Sequence, residues 1–174
     1  DIIKTAQLLP GIQSGSEGSS GIYVRGGGPD QNLILLDGVP IYNANHLFGF
    51  FSVFNADAIN QVKLVKGGFP AEYGGRISSV IDIRMNEGDM KKIHGEGSIG
   101  IISSKLMLNG PIIKDKTSFM ISARRTYIDV LARPFIALAN QSNASQGDKV
   151  TGGYYFYDIN AKLNHVINAN NRIY

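Results

Sequence analysis

Cysteine is absent from the 174 residues, which rules out a disulfide framework and a thiolate metal site. Histidine is scarce: His46, His94 and His165 lie far apart and form no ligand motif. Charge is thin, at 18% of residues against about 25% in an average soluble domain. No run approaches 18 consecutive apolar residues, so no membrane helix is encoded. No basic segment precedes "DIIKTAQLLPG", so no signal peptide opens the chain. The expectation is either a start inside a longer protein or a cytosolic one. Enzyme signatures are missing too. There is no "GxSxG", no lysine at phosphate-loop spacing, no "GxGxxG" leading a helix and no nucleophile–base–orienter set. Neither an enzyme nor a cofactor is expected.

Glycine is what the chain has in quantity, 21 residues, most of them beside β-branched or aromatic neighbours. That pairing points to strands and tight turns rather than disorder. The net charge of +3 is unevenly spread. Residues 1–87 carry 6 Lys/Arg and 8 Asp/Glu, whereas residues 88–174 carry 11 and 6. The basic residues of the second part are scattered, so no nucleic-acid partner is expected.

Two grammars divide the chain near residue 87. The first part reads as a compact α+β unit. "DIIKTAQLLPG" predicts a short helix that starts at Asp1, turns Ile2, Ile3, Ala6 and Leu9 to one face, and stops at Pro10-Gly11. "SGSEGSS" predicts a flexible loop. "IYVR" predicts a strand, and "NLILL", apolar on both faces, a central one. Asp37-Gly38 is a hairpin signal, with Asp37 bonding its own turn. Pro40 puts the return strand at an edge. "FNADAIN" predicts a helical turn capped by Asn55, and "QVKLV" and "SVIDIRM" predict strands joined by the turn-rich "KGGFPAEYGGR".

In the second part "YYFYDINAKLNHVI" alternates for fourteen residues. Tyr155, Tyr157, Ile159, Ala161 and Leu163 share one face, and Asp158, Asn160, Lys162 and Asn164 the other. Soluble strands run about five or six residues. A longer alternation, aromatic at one end, suits a strand with lipid on one side and water on the other. "TSFMISA", "HGEGSIGI" and "SSKLMLNG" follow the same rule. The first two-strand run breaks near residues 102–104. "KDK" and "NANN" are short turns, placed on the periplasmic side, and 125–153 is a long external loop.

The ordered blocks "LPGI…GIYVRGGGPDQNLILLDGVPI…NADAINQVKLVKGGFPAEYGG…SSVIDI" resemble the plug domain of TonB-dependent outer-membrane receptors. The strands that follow resemble the start of such a receptor's barrel, of roughly 22 strands. The resemblance implies an α+β plug domain over 1–87, with a small mixed β-sheet and short helices. Over 88–174 it implies antiparallel strands from the start of a transmembrane β-barrel. It implies a gated active transporter in the outer membrane of a Gram-negative bacterium. The plug would sit inside the barrel and yield to TonB, which would engage a segment upstream of Asp1.

The family motif falls on Arg25, Gly26, Asp37, Gly38, Lys66, Gly67, Tyr73, Gly74 and Arg76. Of these, Arg25 and Arg76 are expected to pair with barrel carboxylates. Solute would meet the loop Gly27, Gly28, Pro29, Asp30 and the loop Tyr42, Asn43, Asn45, His46. His46 reads as a hydrogen-bonded surface histidine rather than a metal ligand. The solute class stays open among siderophore, corrinoid, glycan and peptide, and outer-membrane lipid is a further partner. Strands that cannot close a barrel alone are expected to self-associate or to pack in some other way. The competing reading is a soluble all-β module that binds carbohydrate or protein.

Overall fold

The computed structural model describes residues 2–14, 21–46, 49, 51–142 and 151–174. The expected helix start at Asp1 and the "SGSEGSS" loop, apart from Ser14, lie outside them. The first part opens with helix α1 (Ile2–Ala6) and strand β1 (Ile12–Ser14), which pairs antiparallel with β2 (Ile22–Val24). Leu9, expected on the buried face of α1, is exposed, because the helix ends three residues earlier. Strands β3 (Asn32–Leu36), β4 (Val39–Pro40), β7 (Ile59–Val65) and β8 (Ser79–Met85) form a mixed sheet in the order β4-β3-β8-β7. The two central strands, β3 and β8, run parallel. Pro40 sits on the edge strand, where its missing amide hydrogen costs no ladder bond. Short strands β5 (Asn45–His46) and β6 (Phe51–Ser52) pair with each other.

The first five residues of β8 are buried, as a central strand covered on both faces requires. Ile81 and Ile83 pack with Ala6, Ile12, Ile22, Val24, Ala44 and Phe54 into one core. Asn55 caps a 3-10 turn over Ala56–Ala58 by accepting from the Asp57 amide. The triple glycine resolves into two jobs. Arg25 (φ 49°) and Gly26 (φ 84°) make a two-residue hairpin turn, closed by reciprocal bonds between Val24 and Gly27. Gly27 then passes so close to Ser78 that a Cβ would lie 2.3 Å from its Oγ. No phosphate cradle forms: Gly28 leads into the 3-10 turn Pro29–Gln31 and then directly into β3.

The second part is a five-stranded antiparallel meander: β9 (His94–Ile99), β10 (Ser103–Ile113), β11 (Thr117–Thr126), β12 (Tyr157–Asn168) and β13 (Asn171–Ile173). Strands of 10 to 12 residues in β10–β12 are long enough to cross a bilayer at a tilt, which takes about 9–11. β9 falls short of a full span, because the external turn begins at Gly100, two residues before its expected position. The short turns lie where expected, with Asp115 at φ 57°. The long segment after β11 is more than a loop: it carries helix α2 (Ile128–Ser142) with Pro134 inside it. A proline within "IDVLARPFIALANQS" argues against a helix locally. The helix instead follows the spacing of Leu131, Phe135 and Leu138, all of which are exposed. The meander's pairing is continuous from β9 to β13. Its strands pair only with one another among the described residues.

One prediction tests the close passage at Gly27. Gly27→Ala should destabilise the chain by about 1–3 kcal/mol, the usual cost of overpacking. Adding Ser78→Gly should recover most of that loss in a denaturant titration. If Gly27→Ala is neutral on its own, the packing described here is wrong.

Candidate functional site

Alternation gives the five-stranded wall two unlike faces. On β12, Tyr157, Ile159 and Leu163 are exposed while Asn164 is buried and Asp158 and Lys162 are nearly so. On β11, Ser118, Met120 and Ser122 are fully buried against the first part. The inner face is mainly polar, and the first part sits on it.

The contacts form a ladder down the wall. At the end nearest α2, Asp158 accepts from Arg124 Nε (2.9 Å) and Nη2 (2.6 Å), and its other oxygen meets His46 Nε2 at 2.6 Å. Arg124 also donates to the Ser52 carbonyl, and His46 stacks on Phe156 with centroids 4.1 Å apart. In the same cross-strand row Lys105 pairs with Asp57, and two residues lower on β11 Ser122 bonds Asn55. Lys162 Nζ then reaches Asp37 Oδ2 at 3.1 Å, with both side chains largely buried. Near the short turns, Glu87 accepts from Asn164 (3.1 Å) and Arg172 (3.0 Å), and its carbonyl accepts from Ser118 (2.7 Å).

The link between the parts is held as closely. Gly88 passes Phe119 so tightly that a Cβ would lie 2.3 Å from its carbonyl oxygen. Asp89 then bonds the Lys91 and Lys92 amides and His94. Its carboxyl is held below the ordinary value by the Lys91 amide first, then by His94 and the Lys92 amide.

Asp37 departs from its expected role. The hairpin is there, with Asp37 at φ 49° and Gly38 at φ 85°, but the carboxylate does not serve it. Oδ1 accepts from the Met85 amide at 3.0 Å and Oδ2 faces Lys162. The left-handed backbone at Asp37 aims the side chain off the turn, toward the end of β8 and the wall.

The two arginines expected to meet wall carboxylates do not do so among the described residues. Arg25 lies over Gly67, where a Cβ would be 3.3 Å from its Nη1. Arg76 donates to the Gly75 carbonyl at 3.1 Å. The polarity is mostly reversed: carboxylates at Asp37, Asp57 and Glu87 meet cations on the strands. Of the other motif positions, Lys66 donates to the Pro10 carbonyl at 2.5 Å, beside Gly67 at φ 75°. The Tyr73 amide bonds the Pro70 carbonyl, and Gly74 sits in open space.

Five of the eight residues in the two expected solute loops come together, Pro29 among them. Asp30, Tyr42, Asn43 and Asn45 line one cleft of about 230 Å³, with Asn32 and Pro29 beside them. Asn43 accepts from the Asn45 amide at 3.3 Å, which holds the loop's shape. Tyr42 projects from it, 88% exposed. Arg76 shares an adjoining hollow with Asp30 and Tyr42. His46 is not in the cleft. It is indeed hydrogen-bonded, but to Asp158 in the wall rather than on an open surface. Sequence reasoning missed the wall partners Lys105, Arg124 and Arg172 and their mates Asp57 and Glu87. The only available signal was the polar face of "DINAKLN", which shows that a polar partner exists and not which residue it is.

Comparison with known proteins bears on this geometry. Residues 1–80 match the family model described as the TonB-dependent receptor plug domain. The chain is 37% identical over 89 residues to the vitamin B12 transporter BtuB of Vibrio vulnificus, which covers 48% of this chain and 14% of the transporter. It therefore spans about a seventh of that relative's length. Its fold resembles the siderophore receptor PirA of Acinetobacter baumannii (TM-score 0.59, 24% identity, 97% of this chain and 27% of that one). It also resembles the ferric enterobactin receptor PfeA of Pseudomonas aeruginosa (TM-score 0.58, 20% identity, 97% and 29%).

The Asp37–Lys162 contact can be tested alone. Lys162→Met leaves a largely buried carboxylate without its cation and should cost about 3 kcal/mol. Asp37→Asn added to it should return part of the loss. Strictly additive effects in unfolding titrations would show that the two residues do not interact.

Proposed function

We propose that the chain is a piece of a TonB-dependent receptor, whose plug-domain model matches residues 1–80, and that it gates solute import across the outer membrane of a Gram-negative bacterium. The plug domain extends to residue 87, and 88–174 are the first strands of the barrel around it. The observation that carries this reading is the two-faced wall. Its inner face is bonded to the plug by ion pairs and hydrogen bonds, and its outer face is apolar.

Such an arrangement suits a movable stopper. Ion pairs and single hydrogen bonds at a wettable interface are individually modest, about 0.5–1.5 kcal/mol for a neutral hydrogen bond. They re-form with water once the plug shifts. The plug's own apolar core would hold it together meanwhile, since each fully buried large aliphatic side chain contributes about 1.5–3 kcal/mol. TonB, engaging a segment upstream of Asp1 and driven from the inner membrane, would supply the pull. The chain itself performs no chemistry.

Solute would enter from the side of the long external segment, which is also where His46 and Ser52 meet the wall. The cleft of Asp30, Tyr42, Asn43 and Asn45 would contribute to its binding. It offers a carboxylate, a phenol and two carboxamides, which suits a polar solute rich in donors and acceptors. Similarity to a vitamin B12 transporter and to siderophore receptors favours a corrinoid or a siderophore over a glycan or a peptide.

Uptake of labelled vitamin B12 and ferric siderophores by cells carrying the full-length receptor should disappear when TonB is deleted. Uptake that persists without TonB would refute the coupling. For the solute taken up, Asn43→Ala with Tyr42→Ala should weaken binding about tenfold or more, the loss of one or two hydrogen bonds. Unchanged affinity would remove the cleft from the binding site.

A further inference from the structure

The outward face of the wall holds a feature that solute import does not use. A groove of about 770 Å³ opens across β9–β12. Its floor is one cross-strand row, Gly97–Leu106–Ala123–Ile159, set by the pairings of four adjacent strands. Small residues at Gly97 and Ala123 leave a trough beside Leu106 and Ile159, so the shape follows from side-chain size along a single row.

Two residues further along β11 lies Arg125, which also lines the groove. Arg124 points inward to Asp158, so alternation turns Arg125 outward, onto the apolar face. There its guanidinium lies 5.5 Å from the centre of the Tyr155 ring, with Tyr157 beside it in the pairing. Its nearest carboxylate, Asp129, is 4.0 Å away, and the side chain is 58% exposed. An exposed pair at that separation contributes little and leaves most guanidinium donors open. The strand ends at Thr126, so the cation sits where the wall leaves the membrane.

We propose that this groove binds an anionic lipid of the outer leaflet, with an acyl chain in the Gly97–Ala123 trough and the phosphate on Arg125. The inference rests on the reading that the outward face meets lipid. An apolar trough headed by a cation matches the two ends of such a molecule. Arginine suits the phosphate because its planar fork donates two parallel bonds. Tyr155 holds the guanidinium by a cation–π contact and gives the headgroup an amphipathic shelf.

The test uses the full-length receptor purified in detergent and titrated with phosphatidylglycerol or with diacylglycerol of the same acyl chains, which lacks the phosphate, with bound lipid counted by native mass spectrometry. Phosphatidylglycerol should be retained about tenfold better, the difference made by one charge-assisted hydrogen bond. Arg125→Gln should abolish that preference, Arg125→Lys should keep part of it, and Ala123→Leu should weaken both lipids alike. Millimolar inorganic phosphate should not displace the lipid. Equal retention of the two lipids, a preference that survives Arg125→Gln, or displacement by phosphate alone would each overturn the site. A nitroxide at Leu163→Cys separates this result from the broader reading. If oxygen relaxes it and a water-soluble nickel complex does not, the wall meets lipid, and a missing preference removes only the lipid site. If the nickel complex reaches it, the membrane reading fails and the site with it.

Discussion

The whole arrangement depends on the two-residue period of an extended strand. A strand that presents Asp158, Lys162 and Asn164 on one side must present Tyr157, Ile159 and Leu163 on the other. One face therefore demands hydrogen-bond partners while the other demands an apolar surrounding. The plug domain answers the first demand, with carboxylates at Asp37, Asp57 and Glu87 and an imidazole at His46 placed opposite the polar row. Lipid answers the second in the proposed setting. Most of what distinguishes this molecule from a soluble sandwich follows from that division of labour.

The plug itself is built on a different balance. Its core is small and apolar, centred on Ile81 and Ile83 in a strand covered on both sides. Its connections are tight turns, which bring distant segments close at little cost in chain length. Asp37 links the two regimes. It sits in a hairpin of the plug sheet, bonds the backbone at the end of β8, and pairs with Lys162 across the interface. The plug sheet is thus registered against the wall through one side chain, and a shift of either would disturb both contacts.

Polar contacts dominate where the two units meet, and this has a mechanical side. In the proposed setting, apolar burial between plug and wall would have to be undone against the full hydrophobic penalty whenever the plug moved. Ion pairs give alignment instead, and water can take over each partner as the contact opens. The cluster of Arg124, Asp158, His46 and Phe156 is the densest of these contacts and lies closest to the external segment. It ties the β5–β6 hairpin, next to the cleft of Asp30, Tyr42 and Asn43, to the strands that carry α2.

Much of this was legible in the sequence, and the reason is local. Alternation, turn chemistry and proline placement are properties of a few neighbouring residues. They placed the "NLILL" central strand, the Asp37-Gly38 hairpin, the Asn55 cap, the edge position of Pro40 and a long strand within "YYFYDINAKLNHVI", which the structure starts three residues later, at Tyr157. The resemblance named Asp30, Tyr42, Asn43 and Asn45 on two separate loops, and only the tertiary structure brought them to one cleft. Contacts between residues far apart in the chain, such as His46 and Asp158, carry no local signature. Only the tertiary structure could turn Asp37 from its own turn to Lys162, or send His46 out of the cleft to Asp158. Helix α2 was hidden for a related reason, since Pro134 breaks the local rule that would have revealed it. The sequence determined which faces would be polar or apolar; three-dimensional packing alone chose their partners, because a charge pairs with whatever the fold brings within about 4 Å of it.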